Sequence, residues 1–313
     1  MLVKTAVDRF LEGYFSTCQR SEKTIQAYTI DLRQFCAHVG SRARLARVRP
    51  DALEAWAAEL KAAGYASASI RRKFATLKVF FGYWVRRGTL DSSPTWRIRL
   101  DLAPERRLPK VLTVDEVGRL LRQAKKELGR FPRRLSTSVD PKFLALRNLA
   151  IVEILFATGI RIGELASLDL QDIDLDERKL LISGKGGRQR VAFLPDNRSY
   201  SAVSNYLRHR QNLTNATPAL FMNTESRKIS SQSAAYIVTS IAKRAQITRK
   251  ITPHMLRHTV ATLLLQNGAD IRVVQEFLGH TDISTTQKYT HINPSQVRLT
   301  VEAKHPSLIN LSR

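Results

Sequence analysis

Apolar residues recur at steps of three and four from Ile25 through Tyr28, Leu32 and Phe35, with Ser21 placed to cap the run. That period marks one face of an α-helix. A second helix is expected from Asp51 to Lys61, ending before Gly64. A third begins near Ser67 or Ser69, with an apolar stripe of Ile70, Phe74, Leu77, Phe80, Phe81 and Trp84, and stops at Gly88. Arg71 and Lys78 are seven residues apart and so share a face away from that stripe, with Arg72 beside them. The first hundred residues read as a small helical bundle with one strongly basic helix.

Ser92-Ser93-Pro94 then breaks the pattern, and Pro104-Glu105-Arg106-Arg107-Leu108-Pro109 is polar, basic and twice interrupted by proline. The expected organisation is a domain over 1–100, a linker over 101–110 and a second domain over 111–313. Thr113 with Glu116 forms a capping-box pattern. Residues 129–142 read as a basic loop. A buried helix follows through Leu146, Leu149, Ile151, Ile154, Leu155 and Phe156 to Gly159. Residues 179–183 and 189–194 are short strands joined at Gly184-Lys185-Gly186-Gly187-Arg188, a hairpin signal. Helices are expected over Ser233–Ala245, Pro253–Asn267 and Asp270–Leu278, with a short turn near Ser284–Tyr289. There is no internal repeat.

Charge says what such a protein would meet. The 313 residues include 51 Lys+Arg against 27 Asp+Glu, a net of +24. Residues 1–100 hold 18 of the basic and 8 of the acidic side chains, so both parts of the chain are basic. A polyanion is the expected partner. Arg outnumbers Lys, which favours phosphate forks and hence nucleic acid. No window approaches 18 consecutive apolar residues, so no membrane span is expected. The first residues lack the order of a signal peptide. Cys18 and Cys36 make neither a disulfide framework nor a zinc site. A cytoplasmic protein is the expectation.

Four segments hold candidate chemistry. Arg161 follows the cap glycine Gly159, and Glu164 three residues on can orient its guanidinium. Lys185 sits at the hairpin tip. His254 and Arg257 lie at i and i+3 on one helix face. His280 and Tyr289 follow in the last expected elements. Singly, each has an ordinary reading: a surface ion pair, a solvated turn lysine, a capping histidine, a half-buried phenol. Together they suit a phosphodiester attacked by an oxygen nucleophile. Guanidiniums stabilise charge on the non-bridging oxygens. Histidines hydrogen-bond and move protons, the lysine protonates a leaving oxygen, and the tyrosine forms a covalent link. Tyr28, Tyr65, Tyr83 and Tyr236 are expected to pack instead.

These segments resemble the tyrosine recombinase (phage integrase) family over nearly the whole chain, and within it the Xer-type branch and short transposon- or plasmid-borne relatives. The resemblance rests on Tyr28, Asp31-Leu32, Phe35, the basic helix after Ser69, Leu108-Pro109-Lys110 and the ordered Arg, Lys, His-x-x-Arg, Gly-His, Tyr set. It implies a mainly α, two-domain protein: a SAM-like core-binding domain, and a mostly helical catalytic domain with a small sheet. The catalytic positions carry over to Arg161, Lys185 (Lys179 being the weaker match), His254, Arg257, His280 and Tyr289, with Glu164 in support. Arg71, Arg72, Lys78 and Arg188 would contact DNA.

The implied reaction is site-specific recombination of duplex DNA through a 3′-phosphotyrosine and a Holliday junction. It needs no cofactor, metal or ATP. The implied assembly is a homo- or hetero-tetramer, open to accessory proteins, with residues 295–313 docking on a neighbouring protomer. Dimer resolution and mobile-element integration or excision both fit. A type IB topoisomerase, a non-catalytic DNA-binding factor and an RNA-binding scaffold are the alternatives. The catalytic set argues against the second, and the low aromatic content against the third.

Overall fold

The computed structural model describes the chain apart from residues 19–21, 103–110, 130–139, 185–188, 212–216, 280–293 and 309–313. It divides into two units, Met1–Arg107 and Leu108–Arg313.

The first unit is built from α1 (Val3–Thr17), α2 (Glu22–Val39), α3 (Pro50–Ala62) and α4 (Ser67–Arg86). Helix α1 is absent from the expected elements. Its buried stripe of Val3, Ala6, Val7 and Phe10 has helical spacing, but no side chain caps its start, so the usual start signal is missing. The other three helices are those the periodicity predicts, although Ser21 lies outside the described residues. Every apolar residue of the expected α4 stripe is buried, around Phe35, Trp56 and Leu32. Phe10 meets Phe80 edge to face at 5.4 Å.

One polar cluster sits within this apolar packing. Asp31 is fully buried and accepts from Lys73 Nζ (2.9 Å), Arg72 Nη1 (2.5 Å) and Thr76 Oγ1 (3.1 Å). A buried carboxylate persists only when so supplied with donors. Asp31 therefore fixes α2 against α4.

The second unit begins with α5 (Val114–Lys126), where the capping box forms as expected. Glu116 N–H donates to Thr113 Oγ1 at 3.1 Å, and Thr113 N–H donates to Glu116 Oε2 at 2.8 Å. Helix α6 (Pro141–Thr158) starts inside the expected 129–142 loop. Asp140 caps it by accepting from Lys142 N–H at 2.9 Å, and Pro141 sits in the first turn, where its missing N–H costs nothing. Buried on nearly every side, α6 is the axis against which α5, α8 (Asn197–Gln211) and α10 (Pro253–Gln266) pack. Gly159 ends it at φ +59°, and a Cβ there would lie 2.5 Å from Leu278 Cδ2. Glycine is required on both counts.

A short helix, α7 (Ile162–Ser167), leads into an antiparallel sheet of β1 (Ile173–Asp174), β2 (Lys179–Ser183) and β3 (Gln189–Phe193), in that order. The expected hairpin is β2–β3, registered from Lys179 opposite Phe193 to Ser183 opposite Gln189. Helix α8 is absent from the expected elements, since polar Ser199 and Arg210 interrupt its buried stripe of Ala202, Val203 and Tyr206. The expected helices near the C-terminus are α9 (Ser231–Arg244), α10 and α11 (Ile271–Leu278), followed by α12 (Pro294–Lys304).

The described part of the 295–313 segment, expected to dock on a neighbouring protomer, lies on its own unit in the single chain. Helix α12 packs on α11 and β3 of its own unit. Val297, Val301 and His305 are buried there, because the Val297/Val301 stripe finds apolar cover without leaving the chain. The His305 ring centroid lies 5.7 Å from that of Phe156 and 6.5 Å from that of Phe277. Its Nδ1 accepts from Ser307 N–H at 3.1 Å, so the ring is neutral with its proton on Nε2.

Burial pushes His305 down to about 4, and burial pushes Glu153, paired with Arg198, up to about 7. The two work in opposite directions. As pH falls from 6.5 towards 4, only the unfolded chain protonates the histidine, so about 3 kcal/mol of stability is lost. As pH falls from 7 towards 4.5, the folded chain protonates Glu153 first, and a similar amount is gained. A His305→Leu chain should therefore become more stable between pH 7 and 5, and a Glu153→Gln chain less stable. Urea midpoints at the two pH values check both signs.

Candidate active site

The turn after α6 sets the first arginine. Glu164 Oε2 accepts from the backbone N–H of Arg161 at 2.9 Å, closing the first turn of α7. The same carboxylate, through Oε1, accepts from Arg161 Nη1 at 2.7 Å. One glutamate thus holds both the backbone and the guanidinium of Arg161. Burial alone would raise Glu164, but the hydrogen bonds and charge of Arg190, with hydrogen bonds from the Arg161 N–H and guanidinium, hold it below the ordinary carboxylate value.

Arg257 comes from α10, nearly a hundred residues further on. It is 3% exposed, against 44% for the Arg161 side chain. Its Nη1 donates to Gly159 O and its Nη2 to Leu278 O, both at 2.7 Å. Arg161 Nη2 donates to Gly279 O at 3.2 Å. The two guanidiniums therefore hold consecutive carbonyls at the end of α11, directly before His280 in sequence. Burial, with Arg161 and then Arg190 nearby, lowers Arg257 to about 10, so it stays charged at neutral pH.

His254, three residues before Arg257, is exposed, and its ring lies 4.5 Å from that of His258. Burial, then His254 and Arg257, lowers the His258 pKa. Lys185, Arg188, His280 and Tyr289 lie outside the described residues. Lys179, the weaker lysine match, pairs with Asp174 at 3.2 Å.

A third arginine escaped the sequence reading. Arg190 on β3 lies opposite Ile182, in the row of buried Leu180, Ile182 and Ala192. It forks onto Glu164, Nη1 to Oε1 at 3.2 Å and Nη2 to Oε2 at 2.8 Å. The available signal was a charged residue at an inward position of an alternating strand, which calls for a buried partner.

In the first unit, Arg71 and Lys78 are both exposed, as their shared face predicts. Arg71 Nη2 donates to Leu102 O at 2.6 Å, and the half-exposed Arg72 is engaged by Asp31. The expectation that four tyrosines pack holds for buried Tyr83 and partly for Tyr28. It is corrected for Tyr65, 40% exposed, and for Tyr236, 72% exposed. Tyr236 stands off the stripe of Ala234, Ile237, Val238 and Ile241 that α9 buries.

Residues 110–296 match the phage integrase family, and residues 7–88 match the phage integrase N-terminal SAM-like domain. The chain belongs to the phage integrase family. Tyrosine recombinase XerC of Mycobacterium leprae (strain TN) is 36% identical over 308 residues, spanning 96% of this chain and 98% of that protein. Tyrosine recombinase XerD of Halalkalibacterium halodurans is 36% identical over 313 residues, spanning 97% and 98%. Among solved structures, XerH site-specific recombinase in a post-cleavage complex with palindromic difH substrate has a TM-score of 0.70 at 21% identity, covering 96% of this chain and 81% of that one. A λ integrase tetramer bound to a Holliday junction has a TM-score of 0.67 at 19% identity, covering 92% and 80%. These structures share the fold of this phage integrase family member: a helical SAM-like domain and a mainly helical catalytic domain with a small sheet.

Proposed function

We propose that this chain is a site-specific DNA recombinase that breaks and rejoins duplex DNA through a covalent tyrosine intermediate. The observation that carries the reading is the convergence of Arg161 and Arg257 on the consecutive carbonyls of Leu278 and Gly279, with Glu164 as counter-ion. Residues far apart in sequence bring two guanidiniums together next to the segment that continues to His280 and Tyr289. Three guanidiniums, Arg161, Arg190 and Arg257, with the one carboxylate of Glu164 leave an excess positive charge suited to a phosphate.

In this reading Tyr289 attacks a backbone phosphate and its phenolic oxygen replaces the 5′-oxygen on phosphorus. A 3′-phosphotyrosine and a free 5′-hydroxyl result. Arg161 and Arg257 hold the non-bridging oxygens, His254 and His280 complete the hydrogen bonding, and Lys185 protonates the leaving 5′-oxygen. Attack by a 5′-hydroxyl from a second duplex reverses the step, so the phosphodiester energy is retained. Two such exchanges pass through a Holliday junction in a tetramer, as the λ integrase complex suggests for that protein. The first unit contributes Arg71, Arg72 and Lys78 to DNA binding, and the hairpin contributes Arg188.

Binding selection from a random duplex library supplies the site. On it, affinity should fall by roughly 10³–10⁵ between 50 and 200 mM salt, as 6–10 phosphate contacts require. A flat salt response contradicts binding by both basic units. Lys185→Ala should cleave poorly on normal DNA yet recover on a 5′-bridging phosphorothiolate, whose sulfur leaves without a proton. Equal slowness on both substrates would show that Lys185 positions DNA rather than acting as the acid.

A further inference from the structure

Arg190 occupies a place where the sheet wants an apolar side chain. Its neighbours in the inward row, Leu180, Ile182 and Ala192, are all fully buried. Taking a guanidinium out of water there is costly unless its donors are met. The two terminal nitrogens are met by one partner, Glu164, in a fork that uses both carboxylate oxygens. Such a fork fixes the plane of the carboxylate as well as its position.

Glu164 is fixed for a visible purpose, since its remaining hydrogen bonds go to the N–H and Nη1 of Arg161. The Arg190 stem also meets the end of α11. A Cβ at Gly279 would lie 2.8 Å from Arg190 Cδ, 2.9 Å from Nε and 3.0 Å from Cζ. Gly279 O is in turn the acceptor for Arg161 Nη2. Arg190 thus touches both groups that orient Arg161, and it does so from the strand that returns from the hairpin tip bearing Lys185.

We infer that Arg190 is a positioning residue: it locks Glu164 and the Gly279 cap so that Arg161 is held for phosphate, tying the β2–β3 hairpin to the arginine. This rests on the reading of Arg161 as a phosphate-binding residue. Arg190 itself need not touch DNA. Its effect is on the fraction of molecules in which the Arg161 fork is aligned, and small misplacements of such groups are expensive in rate.

A double-mutant cycle on the full chain tests this, read as the single-turnover rate of covalent adduct formation on a nicked duplex carrying the selected site. Arg190→Met and Arg190→Lys should each slow the saturated rate roughly ten-fold or more, less than the 10²–10³ of a lost oxyanion donor. The half-saturating DNA concentration should stay within about two-fold. The lysine variant keeps charge and stem, and so remains informative if the methionine variant does not fold. In an Arg161→Ala background the same Arg190 substitutions should add less than about a two-fold further loss, because residues acting through one another are not additive. Equal losses in both backgrounds, or no loss in the parent, overturn the inference. Normal cleavage by Arg161→Ala alone would instead remove the phosphate-binding reading beneath it.

Discussion

Tyr289→Phe should bind DNA as the parent does and form no covalent adduct on a nicked suicide duplex. The substitution keeps the ring and removes only the nucleophilic oxygen, so the loss should be complete to the limit of detection. Two other phenols of the catalytic unit provide the controls. Tyr206 is buried, its hydroxyl donates to Leu220 O at 2.9 Å, and burial pushes it up to about 12, so it cannot serve as a nucleophile. Tyr236 is the exposed competitor, beside Arg147 and Arg244 in a cleft of about 550 Å³. Tyr236→Phe should cleave normally. An adduct that persists in Tyr289→Phe and vanishes in Tyr236→Phe would move the active site to that cleft.

Arg161→Lys should lose about two or more orders of magnitude in cleavage. Arg161 spends Nη1 on Glu164 and Nη2 on Gly279 O while remaining 44% exposed. Only a planar, multi-donor group can keep both bonds and still present N–H groups to a phosphate; an ammonium offers one point. Single-turnover cleavage checks the loss, and the melting temperature should change little because the site is open. Arg257→Lys contrasts with it. Arg257 joins Gly159 O to Leu278 O inside the core, so its loss should lower both cleavage and stability. Near-normal cleavage by Arg161→Lys would reduce Arg161 to a surface partner of Glu164.

Much of this architecture was legible because local chemistry and packing agree. The α4 stripe from Ile70 to Trp84 has strict helical spacing and is buried at every position. The Thr113–Glu116 box is complete in itself within four residues, so it needs no tertiary context to be read. What escaped depends on partners distant in sequence. Helix α8 buries Arg210, whose Nη2 donates to Ala219 O at 2.7 Å and to Thr217 O. Arg190 reads as an ordinary strand cation until Glu164 is placed beneath it. The pairing of Arg161 with Arg257 was legible as residue types in order. Their meeting at Leu278 and Gly279 was not, since it needs α6, α10 and α11 to be packed together.

Recombination requires that two DNA sites exchange strands, beyond the cutting and resealing of one. The most direct measurement places two copies of the selected site on a supercoiled plasmid and incubates it with the purified chain in EDTA without ATP. Recombinant circles should form, Holliday junctions should accumulate early, and protease digestion of trapped intermediates should leave the Tyr289 peptide on a 3′ DNA end. Relaxation of the plasmid without recombinants or junctions, or a DNA-linked peptide at another residue or on a 5′ end, would contradict the account.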